Sequence, residues 1–446
     1  MCRLIEDEIS TVDEDFNIQN LTNYILQKIY FVVIDTKAGL SKTLQIFNTI
    51  NTTGMDLAGS DLFKIRMFEY LTKHEKDKEK SIEVFNQINS LYAHIDNKNN
   101  ELKLNNVHFR QILEIYQIIL IGKYNLPLGL HDLGVDTFFE RLFDTLLGIE
   151  THQPFKAKAP EIKLTIKDLE SIIKVRYLWD EHEGQWNAED LALIHFIGWS
   201  RYRHYWLYIF TFLFRFNPLE NPLYWQQHFL YIKNITRYLL IKSIHKKRSV
   251  YHTHNYLREL NKLLFNTQST PQSLIEDIEK KIQHFKGEYP YTELQNILNG
   301  PITDNYKQKN IICRLSAMID ELQDPNCDAD NLKTRLFINS IDIEHIQSYN
   351  DYYKEKRPEI WETWKEEINS LGNLMVLESG INTSISNNPF HAKVKRYNDS
   401  TLATPHKIAK SHGHLPNWEL SHAQERKTKE VNKILNYLFE GTTTLS

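Results

Sequence analysis

Between Ser340 and Tyr397 the polarity pattern of this chain changes period, and that change limits the folds open to it. Ile341, Ile343 and Ile346 are interleaved with polar residues, which predicts a short strand ending at His345. Leu374, Val376 and Leu377 make a second apolar run, followed by the turn signal Glu378-Ser379-Gly380. A helix-compatible stretch starts near Asn382, and Pro389 breaks or bends it. The order strand, turn, strand, helix therefore carries His345, Asn373 and Asn382 in sequence. Over the whole chain glycine and proline are sparse, 15 and 13 in 446 residues, while Leu, Ile, Tyr and Phe abound. Such a composition favours helices. The expected fold class is mainly α with a small α+β module.

From Ser81 to about Leu298 the pattern is helical. Phe109, Ile112, Leu113, Tyr116 and Leu120 form one apolar stripe, and Leu191, Ile194, His195 and Ile197 begin another. Breaks at 97–100, 127–129, 153–160, 217–222 and 268–271 divide the region into about eight helices. Tyr202–Phe216 is dense in aromatic residues and reads as buried helix core, with base stacking as the alternative. Lys242, Lys246, Lys247, Arg248 and Arg258, interleaved with His245, His252 and His254, read as a solvated helix end or as a DNA-backbone contact. Gln308–Leu322 predicts a helix leading into the module, and Arg335–Ile338 a further short strand or lead-in. Asn398–Pro405 reads as a loop, and 417–439 as a basic helix.

Glu344-His345-Ile346, then Gly372-Asn373-Leu374, then Asn382 with Ser386, Asn387, Pro389, Phe390 and Lys393 resemble the HNH (His-Me finger, ββα-metal) nuclease motif. The flavour is similar to the C-terminal domain of GmrSD-type modification-dependent restriction enzymes, in which a tryptophan-bearing insert, matched here by Trp361 and Trp364, separates the two strands. Trp418 and Arg426 match the closing helix of that domain. The resemblance implies phosphodiester hydrolysis, which needs a base for water and a cation for the developing phosphate charge. His345 suits the base, since imidazole titrates near neutrality. Glu344 and Asn382 offer hard oxygens, which suit Mg²⁺ or Mn²⁺. Asn373 is implied to brace the His345 backbone, and Lys393, with Lys395 and Arg396 beside it, to hold phosphate. Strand pleating points Glu344 and His345 to opposite faces, so both reach one phosphate only where the strand ends or bulges.

Phe31–Asp35 reads as a strand, and Leu44, Phe47 and Ile50 as a short helical stripe. A turn at Asn51–Gly54 and a helix capped by Ser60 and opening with Asp61 follow. Asn51, Gly54 and Asp61 sit in a pattern similar to the end of the ParB/sulfiredoxin-like N-terminal domain of the same family. The nucleotide motif of that domain, which lies upstream of this pattern, is not in the chain. These three residues are therefore expected to be a structural remnant, and no NTP is expected for this chain alone.

The net charge of −4 makes no global invitation to nucleic acid, so DNA must meet local patches. Cys2, Cys313 and Cys327 suggest a reducing cytoplasm and exclude a pair of zinc-binding C-x-x-C motifs. The N-terminus has no secretion pattern, and no apolar run is long enough for a membrane span. The expected organisation is 1–75 as regulatory-domain remnant, 76–300 as an all-helical middle domain and 301–446 as the nuclease domain. The expected partner is DNA, with a homodimer or a separate subunit carrying the N-terminal half as further partners; a double-strand cut would need a dimer or two nicks. The competing expectation is a subunit that binds DNA but stays idle until that half is supplied.

Overall fold

The computed structural model describes residues 18–28, 59–73, 77–102, 107–149, 161–182, 185–199, 206–245, 250–286, 289–302, 306–324, 327–338, 340–352 and 357–443. The chain divides into two compact units, Met1–Ala58 and Gly59–Ser446. In the first unit the described residues form one helix, α1 (Ile18–Lys28). The expected strand at Phe31–Asp35, the stripe at Leu44–Ile50, and Asn51 and Gly54 lie outside the described residues. In the second unit α2 (Gly59–Thr72) begins one residue before Ser60, so Ser60 and Asp61 lie in its first turn.

The helices continue as α3 (Lys78–Leu102), α4 (Phe109–Lys123), α5 (Leu128–His131), α6 (Val135–Arg141) and α7 (Ile166–His182). They are followed by α8 (Ala188–Trp199), α9 (Trp206–Arg215), α10 (Leu223–Ile244), α11 (Val250–Leu264), α12 (Pro271–Lys286) and α13 (Tyr289–Asn299). Helix α4 is the pivot of this part. The expected stripe of Phe109, Ile112, Leu113, Tyr116 and Leu120 is buried, but so are Ile115, Ile118, Ile119 and Ile121. Both faces are apolar because α2, α6, α7, α9 and α11 all pack against it. The aromatic run, described from residue 206 on, is core: Leu207, Tyr208, Phe210, Phe212 and Phe216 are buried. Within the basic stretch, the described side chains of Lys242, His245 and Arg258 turn inward. Arg258 is buried, His245 pairs with Glu293 at 2.6 Å, and Lys242 lies over the Phe285 ring at 4.1 Å. Residues 246–249 lie outside the described residues.

The C-terminal part runs α14 (Tyr306–Glu321), α15 (Ala329–Lys333), β1 (Ile341–His345), α16 (Pro358–Trp364), β2 (Leu374–Glu378), α17 (Ser379–Ile385), α18 (Phe390–Tyr397), α19 (Ala403–His412) and α20 (Leu420–Glu440). Both expected strands form. Thr334–Ile338 is a π-helical turn and not a strand. Glu378-Ser379-Gly380 is no turn either, because α17 starts directly at Ser379. Likewise α19 begins within the expected loop and carries His406 and His412. One hydrophobic core extends from Phe63 to Phe439, and a second, smaller cluster from Ile346 to Ala423 fills the module.

Polar contacts tie the last helix down. Arg237 of α10 donates to the carbonyls of Leu438 and Phe439 at 3.0 and 2.7 Å, placing a cation at the C-terminus of α20. Gly441 follows with φ +70, the left-handed residue that closes such a helix. Deeper in, Asp320 of α14 accepts from Lys433 and Lys407, each at 2.9 Å, and from the Thr404 hydroxyl at 2.6 Å. Burial pushes the Asp320 carboxyl up, but the two ammonium groups and the hydroxyl outweigh it and hold it down at about 2.

Asp320→Asn should therefore lower the unfolding free energy by about 3–5 kcal/mol in urea at neutral pH. The folded carboxyl value lies below the unfolded one of about 3.9, so this contribution is complete above that value and is lost as pH falls through about 2. Unfolding curves of wild type and variant should converge across that interval.

Candidate active site

Strands β1 and β2 pair antiparallel, with Ile341 opposite Glu378, Ile343 opposite Val376 and His345 opposite Leu374. Alternation puts Asp342 and Glu344 on one face of β1. Helix α17 lies on that side, and its Asn382 Nδ2 donates to Asp342 Oδ2 at 3.3 Å. The junction from β2 into α17 is fixed by Glu378, whose carboxylate accepts from the Thr401 amide at 2.7 Å and the Ser400 hydroxyl at 2.8 Å.

A cleft of about 320 Å³ opens at the end of β1, lined by Ile343, Glu344, His345, Tyr349, Asn382 and Asn387, among others. Glu344 and His345 reach it together because His345 is the last residue of the strand, which answers the pleating constraint. The His345 Nε2 lies 3.1 Å from Asn369 Oδ1, and its ring is 5.1 Å from that of Tyr349. Burial, opposed by the Asn369 contact, brings the imidazole down to about 4. The ring is thus neutral at physiological pH, the form that can accept a proton.

Glu344 is buried, and its Oε1 accepts from Lys393 Nζ at 2.7 Å and from the Tyr397 hydroxyl at 3.0 Å. Burial raises its carboxyl despite Lys393 and Tyr397. Lys393 also donates to the His345 carbonyl at 2.8 Å and is itself 1% exposed. Lys393 lines the cleft, and two of its three donors are directed at the end of β1. Lys395 and Arg396 are exposed on α18, and Arg396 pairs with Asp399 at 2.5 Å.

Asn373 is fully buried. Its Oδ1 accepts from the Gln347 amide at 2.7 Å, and its Nδ2 donates to the carbonyls of Gln347 and Ile368 at 3.2 and 2.9 Å. It braces the chain just beyond His345 rather than His345 itself. Gly372 beside it admits no side chain: a Cβ there would lie 1.9 Å from the Ala423 carbonyl oxygen of α20. Arg426 belongs to the same junction, donating to the carbonyls of Leu371, Gly372 and Leu374 at 2.7–3.0 Å. The expected basic flank is largely spent internally, since Lys407 and Lys433 bind Asp320 and Lys427 binds Glu367.

Among the described residues no cluster of three His, Cys, Asp or Glu stands ready to hold a metal. The donors on the cleft wall are nonetheless hard oxygens, from Glu344, Asn382, Asn387 and the Thr383 and Ser386 hydroxyls. That set fits a cation such as Mg²⁺ in donor type. A cation at Glu344 would share the carboxylate with Lys393. Sequence reasoning missed Tyr397, Asn369 and Lys309. Tyr397 lies four residues after Lys393 on α18, a spacing that puts both on one helix face. Asn369 and Lys309 carry no local signal, because distant elements bring them to His345.

Residues 242–429 match the family model of the GmrSD restriction endonucleases, C-terminal domain. The chain is thus similar, over this segment, to the C-terminal domain of the GmrSD restriction endonucleases, and such a domain implies a nuclease role with DNA as substrate. The match spans β1, β2, α17 and α18, and with them every cleft residue named above. No curated protein matches the chain. No described helix is long and apolar enough to cross a membrane.

Removing Lys393 alone leaves the buried Glu344 carboxylate without its ammonium partner, with the Tyr397 hydroxyl still donating to it. Lys393→Met should cost about 3–5 kcal/mol in urea unfolding, and adding Glu344→Gln should recover most of that loss. An additive loss in the double variant would show that the two side chains are not coupled.

Proposed function

We propose that the chain is an HNH-type, metal-dependent DNA endonuclease serving restriction of foreign DNA, base-modified DNA included. The observation that carries this reading is the neutral imidazole of His345 in an oxygen-lined cleft at a strand end, inside the segment that matches the endonuclease domain.

In this reading water enters the cleft beside His345, and the imidazole takes its proton as the hydroxide oxygen approaches phosphorus. Asn373 holds the chain after His345 in place, so the ring is aimed without a conformational search. Glu344 and Asn382 would hold a divalent cation such as Mg²⁺ or Mn²⁺, which when bound supplies charge stabilisation for the phosphate and the departing oxygen. Lys393 opposes part of the effect of burial on the Glu344 carboxyl, since ammonium beside carboxylate favours the charged form. Lys395 and Arg396 are exposed on the adjoining helix and would meet the DNA backbone. One such centre cuts one strand, so a double-strand break needs two chains or two nicks. The domain division 1–75, 76–300 and 301–446 and a cytoplasmic location belong to the same proposal.

A second reading has one observation in its favour. Lys393 already sits on Glu344 at 2.7 Å, as it would in a nuclease idle until a partner subunit rearranges that pair.

Plasmid nicking separates the readings. Purified chain with Mg²⁺ or Mn²⁺ should convert supercoiled DNA to open circle, EDTA should stop it, and His345→Ala should lower the rate on the order of 100-fold or more. Cutting that appears only with an added subunit would favour the second reading. Equal cutting by His345→Ala would overturn the assignment of the base.

A further inference from the structure

Between Asp190 and Glu259 the chain carries ten lysines and arginines and a single acid, Glu220, although its net charge is −4. A span of that sign repels itself unless acids from elsewhere or an external anion answer it. Two of its cations are answered from outside the span, Lys233 by Glu189 at 2.8 Å and Arg237 by Glu279 at 2.7 Å. Arg258 of α11 is not. It is 6% exposed, and its Nε is buried without a hydrogen-bond partner. Among the described residues no carboxylate lies within ion-pair distance of it, and Glu259 beside it in sequence is taken by Lys262 at 3.1 Å. Arg176, an equally enclosed guanidinium, holds Asp180. Helix α9 packs on α11 and brings up Tyr208, whose buried hydroxyl lies 2.7 Å from His131 Nε2. Burial holds the Tyr208 phenol well above its usual range, and the Arg258 charge opposes that rise. Asp132, the acid of this corner, is exposed beside His131.

We propose that Arg258 anchors an anion site that takes a phosphate group, supplied by a nucleic-acid backbone or as free phosphate. A guanidinium withdrawn from water carries a heavy desolvation cost, and unlike a buried lysine it cannot shed its proton to escape it. Only an anion removes the cost. The planar fork of arginine matches the oxygens of phosphate or carboxylate, and the acid-poor span around it favours the ligand with more charge. The site itself does not rest on the nuclease reading above; its use on DNA does, and there it would be a backbone contact additional to the cleft.

Thermal unfolding of the full chain, titrated with inorganic phosphate against chloride at matched ionic strength, reads the site directly. Wild type should gain a few degrees as phosphate saturates, because a ligand that binds only the folded state raises the midpoint. Arg258→Met removes the uncompensated charge and keeps the length of the stem. Without phosphate it should unfold at the same temperature as wild type or higher, and phosphate should leave it unmoved. Arg258→Lys, which keeps the charge but not the fork, should respond weakly, and it serves as the comparison should Arg258→Met be unstable. Anisotropy titrations of a short labelled duplex, in EDTA so that nothing is cut, then separate the two sources. Duplex binding about 10-fold or more weaker in Arg258→Met would identify backbone phosphate as the ligand, and equal duplex binding would identify free phosphate. A wild-type midpoint that rises no more with phosphate than with chloride, or an equal rise in Arg258→Met, would overturn the proposal. Neither readout requires cleavage, so phosphate binding by a chain that cuts no DNA upholds the site while the nuclease reading fails.

Discussion

One buried ammonium organises the candidate site. Lys393 stands between the Glu344 carboxylate and the His345 carbonyl, and so joins a side chain and a main-chain oxygen at the very end of β1. A lysine without solvent is tolerated only when its donors are satisfied by charge or strong acceptors, and here two of three go to the strand that must be placed. Tyr397, one turn along α18, closes the same carboxylate from another side. Whatever α18 does is thereby transmitted to the residue bearing the imidazole. The module behaves as a strand end gripped by a helix, with the cleft as the space the grip leaves open.

Charge is used inward throughout the C-terminal part. Asp320, Glu344, Lys393, Arg426, Glu430 and Lys433 are all removed wholly or largely from water, and their bonds run between elements far apart in sequence. Such pairs add little net stability over apolar packing, because desolvation offsets most of the attraction, but a mismatched alternative leaves a bare charge and is heavily disfavoured. In a helical chain with long apolar faces that could slide past one another, these contacts are well placed to select one arrangement.

Much of this was legible in the sequence, and what was not has a common cause. The alternation at 341–346 and the run at 374–377 gave both strands, and the stripe on Phe109–Leu120 gave the buried face of α4. Residues that pair locally with a periodic pattern announce themselves. Depth does not. Lys393 and Arg258 look like surface cations because a lysine or arginine is usually exposed, and only the surrounding elements reveal that each is enclosed. The second face of α4 was hidden for the same reason, since a helix surrounded on all sides has no polar stripe to contrast with. Asn369 had the least signal, a turn residue whose role exists only once Lys309 and His345 have been brought beside it. Glu378-Ser379-Gly380 misled because turn-forming residues also start helices, and here the chain passes from strand to α17 without a loop.

The two strands are not joined by a hairpin. Residues 346–373 separate them, with α16, two 3-10 turns and the buried Trp364 in between. Closing a segment of that length costs chain entropy before a single ladder bond is made, and two five-residue strands return little against it. The pairing is therefore held by what surrounds it: the insert packs on the small cluster, and Asn373 grips Gln347 at the far end of the ladder. The width of the cleft is thus set by a 28-residue excursion of the chain and not by a tight turn.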